Sequence, residues 1–364
     1  MIGSHPKRPL PVDVIFHPDW WHAHYGLDFG PQFHFDPGTR VESERRMRQA
    51  LHDRFGDLGL GEADARRRPV VGPVHLAIGF VVQAMLGCDV RFSEDAAPWV
   101  LCAEVSDKEV WALEVPDLET TSPMRETIRM MDALEEEFGY LEGDIPWDGV
   151  QNVALDLRGQ QLFLDYYDNP ELVHHLFSVI AATIHRVARY VHSRTGTSSI
   201  SLNRIVASID PRLNLHSNCS VQMISRATYE EFLLPYERWL AERLQPYGIH
   251  HCGDSLERVV HSYAQVPGLA HVDVGWGSDV AACREALPDA YFSLRLNPAR
   301  LRAQTPAEVR SDVVGLLEVA GPSDKVALCC VAMDAATPDE NVRAIFEAAE
   351  EYQYRAGRAD RRHQ

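Results

Sequence analysis

Residues 269–296 read LAHVDVGWGSDVAACREALPDAYFSLRL, and the alternation in this stretch decides the fold. Leu269 to Val274 reads as a strand, a helix begins near Asp279, and Tyr291 to Leu296 is the next strand. The same unit recurs on both sides. Upstream, Tyr229, Phe232, Leu233, Tyr236, Trp239, Leu240 and Leu244 recur at helical spacing, so residues 226–246 should form an amphipathic helix. The short segment Gly248 to Cys252 follows, then a helical pattern through Leu256, Val259, Val260 and Tyr263. Downstream, Thr305-Pro306-Ala307-Glu308 combines a capping Thr, Pro at the first helical position and Glu three residues after the cap. Val326 to Val331 is a further strand, and Thr337-Pro338-Asp339-Glu340 repeats the helix-start signal. Strand followed by helix, repeatedly and without a hairpin signal, implies parallel strands with helical crossovers.

The first half is read more coarsely. Val150 to Leu157 reads as a strand, Asn169-Pro170 opens a helix through Leu172, Leu176 and Ile180, and Ser199 to Ala207 reads as another strand. Some eight βα units fit this length, so the expected class is α/β and the expected architecture a (β/α)8 TIM barrel. The rival, an open doubly wound sheet, lacks a G-x-G-x-x-G or G-x-x-x-x-G-K-[ST] after any strand. Without internal repeats or low-complexity linkers, a single domain is expected. Residues 1–140 would form an N-terminal segment and the first part of the barrel, and residues 141–364 the remainder.

The formal net charge of −18 argues against nucleic acid and anionic membrane surfaces as partners. The N-terminal segment has no apolar core of signal-peptide length, and Val74 to Gly87, interrupted by Gln83, is too short to span a bilayer. Seven cysteines, an odd number without a secretory signal, read as reduced thiols in the cytoplasm. The run Glu135-Glu136-Glu137 reads as a solvated helix face.

In a parallel barrel the chemistry sits where strands end and loops lead to helices. Here those places are polar: His250-His251-Cys252-Gly253, then Asp273 with Trp276, then Arg295 with Asn297, then Cys329-Cys330. In an extended chain, residues two apart point the same way, so His250 and Cys252 can reach one metal while His251 faces away. Imidazole with thiolate is a zinc-type donor set, and Cys329 or Cys330 could complete it, leaving a fourth position for substrate. Arg295 could bind a substrate carboxylate or pair with Asp273 or Asp279.

The stretch from Ile224-Ser225 through Tyr229-Glu230-Glu231-Phe232 and Leu234-Pro235-Tyr236 to Gly248–Gly253 resembles the uroporphyrinogen decarboxylase-like superfamily. His250 to Gly253 is similar to the H-x-C-G zinc motif of its methylcobamide:thiol, coenzyme M-type methyltransferases. Those enzymes carry a further Cys before a T-P-x-E-N helix start; this chain has Cys330, then Thr337-Pro338-Asp339-Glu340-Asn341. Asn152 to Gly159, Asp165 and Asn169-Pro170-Glu171-Leu172 are also similar to the family's earlier segment. The resemblance covers roughly the C-terminal two-thirds. The N-terminal arginine-rich motif of uroporphyrinogen decarboxylases is missing, the segment between Cys330 and Thr337 is slightly longer than in the methyltransferases, and Val331 replaces the family's glycine.

The resemblance implies a TIM barrel of the uroporphyrinogen decarboxylase type. It implies zinc held by His250, Cys252 and Cys330, with Cys329 as the alternative, and a corrinoid (cobalamin) carried by a partner protein. Alternation through Val326, Leu328 and Cys330 favours Cys330. Asp273 and Arg295 are the catalytic candidates. Trp20, Trp21, His216, Cys219, Trp276 and Asn297 are the substrate-binding candidates; Cys219 is read equally as a fourth ligand or a buried thiol, and core packing is the other reading of Trp20 and Trp21. The expected activity is methyl transfer between a small methylated substrate or thiol and the corrinoid protein, with a homodimer as the oligomer considered. The alternatives are a metal-independent decarboxylase or lyase that uses Arg295 and Asp273, and a corrinoid- or small-molecule-binding protein without turnover.

Overall fold

A computed structural model describes residues 10–72, 79–196 and 213–360. Its strands are β1 (Val12–Phe16), β2 (Val90–Arg91), β3 (Trp99–Val100), β4 (Asn214–Ser217), β5 (Tyr247–His251), β6 (Leu269–Val274), β7 (Tyr291–Arg295) and β8 (Val326–Met333). Six of them form one sheet in the order β1-β8-β7-β6-β5-β4, with every neighbouring pair parallel. β2 and β3 form a separate antiparallel ribbon. From β6 onward the chain alternates strand and helix as expected, through Val280–Ala286, Pro298–Ala303, Pro306–Val319 and Asp339–Asp360.

The local signals act where they stand. Thr305 accepts from the Glu308 backbone N–H while the Glu308 carboxylate accepts from the Thr305 N–H, closing the capping box. Asn341, fully buried, donates to the carbonyls of Leu301 and Gln304 and ties the last helix to the end of Pro298–Ala303. The helix expected over 226–246 is in three pieces: Arg226–Thr228, a π-helical turn Tyr229–Leu233, and Leu234–Ala241. Pro235, lacking an N–H, sits in the first turn of the last piece.

One expected strand is corrected. Residues 150–157 belong to the helix Val150–Arg158. Val150, Val153, Ala154 and Leu157 are buried at positions i, i+3, i+4 and i+7, a helical stripe; a strand would have buried alternate residues. The strand read at Ser199 to Ala207 lies outside the described residues.

Residues 69–72 and 141–149 meet each other, and the second segment reaches the end of β4. Val70 bridges Glu142 in parallel, and the Val71 N–H reaches the Glu142 carbonyl at 2.9 Å. Gly149 then abuts the end of β4 so closely that a Cβ there would stand 1.7 Å from the Ser217 carbonyl oxygen.

The sheet has two chemically different faces. Val272, Val274, Phe292, Leu294, Val326, Leu328 and Cys330 join the apolar core cluster. The opposite positions carry His250, His271, Asp273, Ser293, Arg295 and Cys329, all buried. Trp20 and Trp21, considered above as substrate contacts, are fully buried against Phe16 in the main core. Among the described residues, no helix is long and apolar enough to cross a membrane. Glu135, Glu136 and Glu137 are exposed on the helix Met124–Phe138, as read from the sequence.

Gly149→Ala should destabilise the protein by about 1–3 kcal/mol, the usual cost of overpacking. Urea unfolding followed by circular dichroism would measure it, and an unchanged midpoint would mean that the contact with Ser217 relaxes freely.

Candidate metal centre

Parallel register places the polar side chains in rows. Ser217 pairs with His250, His250 with Asp273, and Asp273 with Ser293; Arg295 pairs with Cys329. Because paired positions in a parallel sheet face the same way, His250 and Asp273 meet, with Nδ1 and Oδ2 2.5 Å apart. The other Asp273 oxygen, Oδ1, lies 2.8 Å from Nε2 of His271. Two imidazoles therefore share one buried carboxylate, which they hold well below the usual carboxylate range against the opposing effect of burial.

Cys219 enters from the loop after β4, where the Asn218 N–H donates to the His250 carbonyl at 2.7 Å. Cys252 enters from the end of β5. The ligand atoms of Cys219, His250 and Cys252 lie within 4.8 Å of one another. A tetrahedral zinc would require donor–donor separations of about 3.5–3.8 Å, within reach of small side-chain rotations. The donor chemistry also fits. Among the described residues His250 Nε2 is buried with no hydrogen-bond partner, while Nδ1 is held by Asp273, the arrangement that presents the second nitrogen to a metal. The hydrogen bond from Cys219, with His250 and Arg295 nearby, pulls the Cys252 thiol down to about 3, and the same bond with burial pushes Cys219 up. Burial disfavours charge on His250, but Cys252 and the Asp273 hydrogen bond raise its proton affinity on balance.

The expected third ligand is corrected. Cys330 does share a face with Val326 and Leu328, but that is the apolar face, and its Sγ points to the Leu296 carbonyl at 4.0 Å. Cys329 is on the polar face beside Arg295 and packs with Ile15 and Val331. Neither joins the group that Cys219 completes.

Other candidates separate in the same way. His216 is fully buried with both ring nitrogens engaged: Nδ1 lies 2.8 Å from Glu237 Oε1, and Nε2 accepts from the Val150 N–H at 3.1 Å. Asn297 caps the helix Pro298–Ala303 by accepting from the N–H groups of Ala299 and Arg300. Trp276 is partly exposed in the loop after β6. His251 faces away from the group, as expected, toward the Tyr263 hydroxyl and the Asp254 carbonyl. Arg295 is buried, and among the described residues its Nε and Nη1 have no hydrogen-bond partner; its charge faces Cys329, Asp273, Cys252 and Cys219.

Several contributing residues were not singled out in the sequence. Glu237, fully buried, accepts from His216, Asn218 and Tyr229 and braces the Cys219 loop. Asp148 is partly buried, accepts from Gln83 Nε2 at 2.6 Å, and interacts electrostatically with His250 and Cys252. Burial pushes its carboxyl up to about 6 against the pull of the Gln83 hydrogen bond. His271 had a legible signal, since it alternates with Asp273 along β6. The others depend on contacts distant in sequence.

The uroporphyrinogen decarboxylase family pattern matches residues 76–352, well over half of the chain. The chain belongs to the uroporphyrinogen decarboxylase family. A curated member, the uroporphyrinogen decarboxylase of Gloeobacter violaceus, is 27% identical over 192 residues, 50% of this chain and 49% of that protein. The match thus spans about half of that relative's length. A solved methyltransferase from Methanosarcina mazei aligns with TM-score 0.65 and 18% identity over 96% of both chains, which shows the shared fold. A B12-independent methionine synthase from Shewanella sp. W3-18-1 aligns at TM-score 0.42 and 11% identity over 64% of this chain and 67% of its own, too remote to weigh.

The Asp148 carboxyl predicts a pH signature. Its proton affinity is raised, so the stability associated with its neutral form is present below the ordinary value of 3.8 and lost as pH rises through about 6. Asp148→Asn should therefore gain melting temperature relative to wild type between pH 4 and pH 7, by a few degrees. A constant difference across that range would show that the site does not perturb Asp148.

Proposed function

We propose that this family member is a zinc-dependent methyltransferase on a closed (β/α)8 barrel. It would move a methyl group between a small thiol or methylated substrate and a corrinoid carried by a partner protein, in the cytoplasm. The observation that carries the reading is His250 Nε2, buried beside Cys219 and Cys252 and without a hydrogen-bond partner among the described residues, with Nδ1 held by Asp273. The Val70–Glu142 bridge and the approach of Gly149 to the end of β4 support this closure. The fold shared with a structure titled a methyltransferase supports the reaction class.

Cys219, His250 and Cys252 would hold the zinc, leaving a fourth position for substrate. When bound there, zinc would stabilise the thiolate form of a coordinated thiol, the form that attacks a methyl group. Asp273 fixes the His250 tautomer and ring orientation, and His271 in turn holds Asp273. A carboxyl oxygen of Asp148 would take the proton that an arriving thiol gives up. Arg295 would anchor an anionic group on the substrate through Nε and Nη1, which have no partner among the described residues, setting the distance to the reacting sulfur.

A second reading, a metal-independent decarboxylase or lyase, is favoured by the curated relative's name and by the same buried guanidinium, whose Nε and Nη1, without partners among the described residues, could hold a substrate carboxylate.

His250→Ala, Cys252→Ser and Cys219→Ser should each lower zinc affinity by more than about tenfold, and Asp273→Asn by about 10–100-fold as loss of an outer-shell partner. Cys330→Ser should leave it unchanged. Elemental analysis and competition with a chromogenic chelator would read these values; full zinc in His250→Ala and Cys252→Ser would refute the assignment. With zinc-replete protein and a cognate corrinoid protein, thiols or methyl ethers should change the corrinoid spectrum. Silence across the candidates would favour the lyase reading. Arg295→Ala should raise KM for an anionic substrate by about tenfold or more, with zinc content preserved.

A further inference from the structure

The β2–β3 ribbon carries a cysteine at each foot. Val90 pairs with Val100 and Arg91 with Trp99, and the Leu101 N–H reaches the Asp89 carbonyl at 2.8 Å. One further step in this register would bring Cys88 opposite Cys102, where the Cys88 N–H turns to Gln83 and the Ala103 N–H to Asp156. Since Leu101 donates to Asp89, the next step of a regular ladder is a non-hydrogen-bonded position, where Cα atoms stand about 4.5 Å apart. That separation lies at the short end of the disulfide range, about 4.4–6.8 Å.

The thiols converge on one turn of the helix Val150–Arg158. Cys88 Sγ donates to the Asp156 carbonyl at 3.5 Å, and Cys102 Sγ to the Leu155 carbonyl at 3.7 Å. Contacts to adjacent carbonyls of one helix put both thiols on the same side of the ribbon. Their exposure is opposite: Cys88 is buried and Cys102 exposed. This is the asymmetry of an attacking thiol and a resolving thiol. Cys88 also lies next to the residue that holds Asp148, because its N–H donates to the Gln83 carbonyl at 3.0 Å.

From this geometry we infer that Cys88 and Cys102 are a site of reversible oxidative cross-linking by hydroperoxides, separate from the candidate metal centre. The Cys102 thiolate attacks a peroxide oxygen: an S–O bond forms, the O–O bond breaks, and the departing hydroxide takes a proton to become water. Cys88 Sγ then attacks Cys102 Sγ: the S–S bond forms, the S–O bond breaks, and hydroxide leaves as water with the Cys88 proton. Two thiols are oxidised and one hydrogen peroxide is reduced to two waters. The product closes a short loop around the ribbon and fastens its base beside Gln83.

The test treats the full-length, zinc-loaded protein with a small excess of hydrogen peroxide, blocks remaining thiols, and maps peptides by mass spectrometry without reduction. The expected product is a Cys88–Cys102 linked peptide in most chains, abolished by dithiothreitol and in Cys88→Ser and Cys102→Ser. The oxidised wild type should melt a few degrees higher than the reduced protein, and Cys88→Ser should show no such shift. In Cys88→Ser, dimedone should trap a sulfenic acid on Cys102. Recovery of both cysteines as free thiols, Cys102 joined between chains, or a cross-link confined to Cys219 and Cys252 would each overturn the inference.

Discussion

The candidate centre depends on the register between β5 and β6. It sets His250 directly across from Asp273 and lets one carboxylate serve His250 and His271 together. Buried carboxylates are costly unless their oxygens accept strong hydrogen bonds, and this one accepts from an imidazole at each oxygen. The same constraint presents Nε2 of His250 to the two cysteines. A slip of one residue would turn Ile249 and His251 to that side and send the polar row into the apolar core. The tight backbone approaches reinforce the register: a Cβ at Gly275, after β6, would stand 1.8 Å from the Gly253 carbonyl oxygen, after β5.

The division of the sheet into a helix-facing apolar side and a polar side explains how one strand can carry adjacent cysteines with different surroundings. Cys330 is packing material beside Leu328, and burial pushes its thiol up to about 12. Cys329, one residue earlier, faces Arg295 and Asp273. Strand phase, rather than residue type, separates them.

Much of the fold from β5 onward was legible because its signals are local. Apolar runs of strand length, Asp279 and Thr305 as caps, and the reciprocal Glu308 contact each declare themselves within a few residues. The N-terminal half was not, because Val70 meets Glu142 across a long stretch of chain and because a short apolar segment such as 150–157 is ambiguous between helix and strand. His250 and Cys252 could be read from their spacing within one strand. For Cys219 the sequence left a fourth ligand and a buried thiol equally open, since it arrives through the pairing of β4 with β5 and the Asn218–His250 hydrogen bond. Alternation showed that Cys330 keeps company with Val326 and Leu328, but not which side of the sheet that company faces.

Glu237 brings together groups from elements that are otherwise only neighbours. It accepts from His216 on β4, from Asn218 in the loop leading to Cys219, and from Tyr229 at the π-helical turn. His216 passes the connection on to the first N–H of the helix Val150–Arg158. Lifting the Cys219 loop away from β5 would strand a buried carboxylate and several donors at once, so partial opening of that loop is penalised. A metal seated on Cys219, His250 and Cys252 would thus exchange slowly with chelators. Its lifetime would be governed by rupture of its own ligand bonds rather than by breathing of the protein around it.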